Sequence, residues 1–419
     1  MQINKSKAQI FIGTLLLLLF IFTVDFRVSI FKSVYIAYAV VAVALFFIYR
    51  GAKVQITTRI PILLALWIIS TAWVITTLNI SYIIKYIFGI LLLYCFYKEK
   101  KSGTYIVNGL VVVGLVFAGA TFLFYFFPNI YLNSVVPQLA DYLKETAVIM
   151  MRTNRYPGLT GHYSTNGTYL AIGFGAGVSI VFCRVSEKKK GFKYLIVCLL
   201  ILGALLLIGK RAHLVFSVAA AFGVYWLSND KDKVNRLIRM LGIVLVAAIL
   251  FVIMVNQIPA LSNTFNRFSE TANSGDFLMS RGLFYAEAIS QFKSHLLLGC
   301  GWKQMVDLLD HDVHNIYIQL LAETGIVGFA FYIILFASGL LMAVKLVKKA
   351  ASCTSESIVD KKLIYFAAYY MFFFILYGFT GNPLYDEQPF YLLMISYGIL
   401  LFYSREGLDN EESTYFDIP

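Results

Sequence analysis

Along the chain, long apolar runs alternate with short polar breaks. Twelve runs hold most of the apolar residues, at 8–25, 31–49, 60–77, 81–97, 104–127, 166–184, 194–210, 212–228, 240–257, 316–345, 363–379 and 389–403. A helix needs about 20 apolar residues to cross the hydrocarbon core of a bilayer. The pattern therefore predicts an all-α, polytopic membrane protein of about twelve transmembrane helices. Lys5 and Lys7 precede the first run as they would in a secretory signal. Asp25-Phe26-Arg27 follows it instead of a small-x-small cleavage site, so a retained helix is expected.

The polar breaks divide the chain. Helices one to five fill 1–127, a first long loop fills 128–165, helices six to nine fill 166–257, a second long loop fills 258–315, helices ten to twelve fill 316–403, and an acidic tail fills 404–419. Within the second loop, Phe284, Ala288, Phe292 and His295 recur at near-helical spacing, and Gly299-Cys300-Gly301 then breaks the pattern. An amphipathic helix over 281–295 is expected, lying on the membrane surface or capping a cavity. The tail, with Glu406, Asp409, Glu411 and Glu412, reads as a disordered end. No internal repeat of fixed period is visible.

Composition supports the membrane reading. Hydrophobic residues make up 59% of the chain, charged residues 14%, and mean hydropathy is +0.75. Soluble domains hold about 45–50% apolar and about 25% charged residues, so this chain's solvent is lipid. Soluble multidomain, disordered, collagen-like, coiled-coil and disulfide-scaffold classes are excluded. The net charge of +12 does not signal nucleic acid. Placing the N-terminus inside puts 23 of the 35 Lys and Arg on inner segments, the asymmetry that sets topology. Both termini are then cytoplasmic and both long loops face outward. The second loop has four Lys or Arg against six Asp or Glu, so it is not a basic patch.

Of the five cysteines, only Cys300 falls in an outer loop, so no intramolecular disulfide is expected. His311 and His314, with Asp310 and Asp312 beside them, have ligand types for a divalent ion, but no CxxC or HxxxH spacing occurs and no metal is expected. No Walker loop or dinucleotide fingerprint is present, so no nucleotide cofactor is expected.

Four clusters carry candidate chemistry. Lys210 and Arg211, with His213, occupy a tight turn at the outer membrane edge. Cations there are costly and run against the positive-inside tendency. Snorkelling would explain them, but an anion site explains them better, because the Arg fork matches phosphate oxygens. Arg281 stands at the start of the loop helix, where the helix dipole disfavours a cation unless an anion sits between them. His314, followed by Asn315, stands where the second loop re-enters the membrane and suits proton transfer, with His311 its close competitor. Glu323 lies nine residues later near the membrane edge and needs a partner, either functional or structural. Arg152, Arg155 and His162 in the first loop, and Lys85 in the fourth run, fit either snorkelling or anion contact.

Three of these segments resemble the O-antigen ligase / O-antigen polymerase superfamily: "LLLIGKRAHLVFS" at 205–217, "SRGLFYAEAISQFKSHLLLGCGW" at 280–302 and "HNIYIQLLAETGIVGF" at 314–329, in the family's order. The resemblance implies a membrane glycosyltransferase of the C type in a bacterial cytoplasmic membrane. Such an enzyme moves an oligosaccharide from undecaprenyl diphosphate to an acceptor hydroxyl at the outer face, without nucleotide or metal cofactor. Carried over by motif, Arg211 and Arg281 would clamp the diphosphate and His314 would take the proton of the acceptor hydroxyl or orient it. The implied partners are the lipid-linked glycan donor, the glycan acceptor and membrane lipid, with a chain-length regulator left open. "NRYPGLTGHYSTNG" at 154–167 is more similar to polymerases of O-antigen, capsule or exopolysaccharide than to ligases. A polysaccharide flippase or other transporter is the competing class, but the two related halves typical of transporters are not visible.

Overall fold

The computed structural model describes residues 5–26, 34–52, 61–99, 101–186, 190–228, 242, 281–352 and 360–406. Among them every element is helical. The main helices are α1 (Lys5–Phe22), α2 (Val34–Ala52), α3 (Ile62–Ile75), α4 (Ile80–Lys98), α5 (Lys101–Phe126), α6 (Asp141–Arg152), α7 (Tyr163–Ser186), α8 (Phe192–Leu207), α9 (Arg211–Leu227), α10 (Gly282–Ser294), α11 (Gln304–Leu309), α12 (Ile316–Ser352), α13 (Lys361–Tyr377) and α14 (Glu387–Glu406). Eleven of the twelve apolar runs coincide with helices. The run at 240–257, loop residues 258–280 and the tail beyond 406 lie outside the described residues. Among the described residues five helices are long and apolar enough to cross a bilayer, namely Lys5–Phe22, Ile80–Lys98, Ser102–Phe126, Tyr163–Ser186 and Ile316–Ser352, which marks an integral membrane protein.

The helices pack as small residues allow. A Cβ on Gly114 of α5 would come within 2.7 Å of the Gly173 backbone in α7, so these two helices cross almost backbone to backbone. Elsewhere aromatic side chains fill the interior and satisfy their hydroxyls inside it. Tyr86 bonds Ser70 (2.7 Å) and Tyr332 (3.0 Å), Tyr369 donates to the Ala171 carbonyl (2.9 Å), and Tyr370 donates to the Pro389 carbonyl (2.9 Å). Helices α13 and α14 are buried on nearly all sides, which lets them carry polar tyrosines that lipid would not accept.

Antiparallel packing gives the bundle two different ends. At one, Ser6 bonds the Gly51 carbonyl, Thr104 donates to Asp360 (2.8 Å), and Arg405 lies over the Tyr97 ring. Lys98, Arg184, Lys361 and Lys362 also gather at this end. At the other end, Asp25 accepts the Gly161 amide (2.8 Å), Tyr38 donates to Glu387 (2.7 Å), and a polar cavity opens.

Candidate functional site

The scaffold of the cavity is an interlock between two loop segments. Inside α12, Gly325 leaves helical geometry (φ +62°), so the helix breaks after Thr324. The turn and loop at 296–301 pack against that break. The Cys300 amide donates to the Ala322 carbonyl (3.0 Å), Gly301 to Glu323 (3.0 Å), Ile326 to Leu296 (2.9 Å) and Val327 to Leu297 (3.2 Å). The four carbonyls and amides freed by the break are thus satisfied without water. Both glycines are required here. A Cβ on Gly299 (φ +77°) would lie 2.2 Å from the Glu323 carbonyl carbon, and one on Gly325 would lie 2.4 Å from that of Leu297.

Glu323 anchors the interlock. It is fully buried and its carboxylate accepts four hydrogen bonds, from the Lys303 amide (2.9 Å), the Met305 amide (3.3 Å), Gln319 Nε2 (2.8 Å) and the Tyr385 hydroxyl (2.6 Å). A carboxylate only accepts, so the Gln319 amide group must turn its nitrogen toward Glu323 and its oxygen away. That oxygen accepts the Val313 amide (3.2 Å) and Asn382 Nδ2 (2.6 Å). Val313 is thereby pinned one residue before His314. One residue after it, the Asn315 side chain caps α12 by accepting the amides of Tyr317 (3.0 Å) and Ile318 (3.2 Å). His314 is held between these two anchors in a left-handed backbone conformation (φ +61°), uncommon for a residue with a Cβ.

The cavity has a volume of about 480 Å³ and is lined by the ends of α1, α4, α7, α13 and α14, the α8–α9 turn and the 303–314 loop. Lys210, His162 and His314 line one side. The ammonium of Lys210 and the guanidinium of Arg155 both lie 5.4 Å from the Tyr163 ring. Burial holds both imidazoles down at about 4. His162 is further depressed by Lys210, Arg155 and His314, and His314 by Arg281, Lys210 and His311, with Asp312 opposing. Both rings are therefore neutral at pH 7. The Ser164 amide donates to His162 Nδ1 (3.1 Å), which places the proton of the neutral ring on Nε2 and makes His162 a donor. Lys303 pairs with Asp312 (3.3 Å) and faces the Tyr385 ring, which stacks on Trp302 at 4.6 Å. Asp386 is open to the cavity, and burial of its loop, then Asp312, push its carboxyl up to about 6.

The structure gathers some of the residues read from the sequence and separates others. His314, His162 and Lys210 share the cavity. Arg211 begins α9 one residue beyond Lys210 and is half-buried outside the lining. Arg281 precedes α10 close enough to depress His314. Arg155 stands behind Tyr163, whereas Arg152 is exposed at the end of α6. His311 is exposed and pairs with the Phe284 ring at 6.1 Å. Asn315 is a helix cap and Glu323 a buried anchor. Lys85 is 6% exposed and donates to the Tyr385 carbonyl beneath the cavity, so it does not snorkel. His213 turns into the bundle and bonds Thr168 (2.9 Å). Among the described residues no group of three His, Cys, Asp or Glu could hold a metal ion. Sequence reading passed over Tyr385, Asn382 and Asp386, because the α13–α14 loop carries no motif and only the fold brings it opposite residues 303–319. A polar Asn382-x-x-Tyr385-Asp386-Glu387 between two apolar runs is the signal that marks it.

No curated protein matches the chain. Residues 196–333 match the family model described as O-antigen ligase, a span that takes in Arg211, Arg281, His314, Glu323 and the interlock. Lys210, His314 and the interlock thus lie in a stretch that is similar to an O-antigen ligase domain, which supports a relation to the O-antigen ligase / O-antigen polymerase superfamily.

Proposed function

We propose that the protein is a membrane glycosyltransferase of the C type. In this reading it joins undecaprenyl-diphosphate-linked oligosaccharide repeat units into O-antigen, capsule or exopolysaccharide at the outer face of a bacterial cytoplasmic membrane. The chain crosses the membrane twelve times, both termini are cytoplasmic, and the cavity faces outward. The observation that carries this reading is the convergence on one cavity of Lys210 and His162 with His314, and of Arg281 through its field on His314. Two of these cations stand at helix N-termini, Lys210 at α9 and Arg281 at α10, where the dipole opposes them. A diphosphate between them reverses that penalty.

The chemistry follows from the charges. The acceptor hydroxyl attacks the anomeric carbon, the bond from that carbon to the phosphate oxygen breaks, and the lipid diphosphate leaves. Lys210, Arg211 and Arg281 stabilise the charge that collects on the leaving group. His314, neutral at pH 7, takes the proton of the hydroxyl. His162 donates from Nε2 to a phosphate or sugar oxygen.

The matched family description favours a second reading, an O-antigen ligase that transfers finished polymer to lipid A-core. Deleting the gene and resolving surface polysaccharide beside the undecaprenyl-linked pool separates the two. Core carrying a single repeat unit identifies the polymerase. Bare core with long polymer on the lipid carrier identifies the ligase. Normal polysaccharide with unchanged lipid-linked pools overturns both.

A further inference from the structure

The cavity also carries polar atoms that the proposed chemistry does not use. Asn382 lines the cavity, is 4% exposed, and its Oδ1 has no hydrogen-bond partner among the described residues. The orphan is imposed. Glu323 orients Gln319, the Gln319 oxygen claims Asn382 Nδ2, and the only freedom left to Asn382 is to present Oδ1. Two residues earlier, the Thr380 hydroxyl also lines the cavity and also lacks a partner. Asp386 completes the set. The other carboxylates of the lining are engaged, Asp25 by the Gly161 amide, Asp312 by Lys303 and Glu387 by Tyr38. Asp386 has no hydrogen bond or ion pair to its carboxylate among the described residues and is open to the cavity. Three lysines reach it only through their fields: Lys303, which pairs with Asp312, Lys85, which donates to the Tyr385 carbonyl, and Lys210.

Buried polar groups are normally paired, and two unpaired ones lining the same cavity are groups that a ligand there can complete. This set offers an amide oxygen and a carboxylate, both acceptors, and one hydroxyl that can give or take. It calls for a ligand rich in hydroxyl donors and repels an anion. We infer that the Thr380–Asp386 loop is the subsite for the acceptor sugar, and that it takes a hydroxyl-rich sugar that carries no negative charge where it meets Asp386. This rests on the glycosyl-transfer reading above and extends it. In this reading Lys210 and Arg281 hold the diphosphate and the Thr380–Asp386 loop holds the glycan, with His314 in the same cavity and within the field of Asp312.

The test is equilibrium binding to the full chain in lipid nanodiscs, with maltotriose and trigalacturonate followed by saturation-transfer NMR and undecaprenyl diphosphate by tryptophan fluorescence. Maltotriose should bind, and trigalacturonate about threefold to tenfold more weakly, as expected for a like charge at an exposed carboxylate that Lys303, Lys85 and Lys210 partly offset. Asp386→Asn should narrow that gap severalfold. Thr380→Val, which removes no charge, should weaken maltotriose about threefold to tenfold and leave the ratio in place, the effect of one lost hydrogen bond. Neither variant should move undecaprenyl diphosphate binding. Equal or tighter binding of trigalacturonate, absence of maltotriose binding, or a ratio indifferent to Asp386→Asn overturns the subsite. If undecaprenyl diphosphate fails to bind while the sugar pattern holds, the subsite stands and the lipid-diphosphate reading falls instead.

Discussion

At His314 the local sequence and the surrounding charges do separate things. Val313 and Asn315 fix the backbone, and burial with Arg281 and Lys210 holds the ring down at about 4. A depressed histidine is unprotonated at neutral pH, which a base requires, but it is a weak base in the empty cavity. In the proposed function a diphosphate would offset the field of the two cations, so the substrate itself would raise the basicity of His314. The sign can be checked. Arg281→Gln removes a cation that lowers the value, so the His314 Cε1 resonance should titrate at higher pH in the variant, by up to about one unit. Assignment comes from His314→Gln. A titration that stays in place or moves down contradicts the arrangement. His314→Ala should cut transfer by about 10²–10⁴-fold, the range of a general base, while the protein still inserts; normal chain-length ladders would remove His314 from the chemistry. Cys300 has the opposite character. Burial pushes its thiol up to about 11, so it is inert at neutral pH, and Cys300→Ser should leave activity unchanged. These residues differ in how legible they were. His314 and Lys210 announce themselves as polar groups at membrane edges. Asn382 and Asp386 gain meaning only from the Glu323–Gln319 relay, which joins positions 63 apart in the chain.

The element that most repays attention is the broken helix α12. From the sequence, 316–345 reads as one apolar span, and in length it is. What the apolar pattern hides is the backbone break at Gly325, because a glycine inside an apolar run is common in membrane helices and does not by itself signal a break. The matching glycine at 299 sits in a loop where a turn is expected anyway. Their pairing is a tertiary fact. Gly325→Ala should therefore destabilise the protein beyond the about 1–3 kcal/mol of left-handed backbone strain, since Leu297 must also move to admit the Cβ. Thermal unfolding in nanodiscs reads this, and a Tm within error of wild type contradicts the interlock. Helix α10 is the counterexample, legible almost to the residue. Its i+4 pattern predicted 281–295, and it runs Gly282–Ser294 with Ala288 buried against Met305, Val313 and Ala322. It rests on the interlock rather than reaching into the cavity, while Leu296, Leu297 and Leu298 beside it are exposed. Exposed leucines next to a helix that bears Lys293 suit a membrane interface.

For the molecule as a whole, two ends of unlike chemistry make a directional claim. One end collects Lys98, Arg184, Lys361, Lys362 and Arg405, and the other collects the cavity with its mixture of Lys, His, Asp and Glu. The positive-inside tendency would put the first end in the cytoplasm, and in the proposed function the cavity at the second would then face outward. The clustering of Lys and Arg at one end was legible early, because their placement and the run lengths need no tertiary contact to be read. The prediction is of thiol accessibility in intact cells. In a background with the native cysteines replaced, Tyr142→Cys, exposed on α6 at the cavity rim, should react with a membrane-impermeant maleimide from outside. Lys190→Cys, exposed just before α8, should react only after the membrane is permeabilised. The reverse pattern would put the cavity in the cytoplasm, where the lipid-linked donor would have to be used before export, and the assignment of polymerase or ligase at the outer face would fail with it. Labelling of both from outside would break the alternation of helices that builds the cavity.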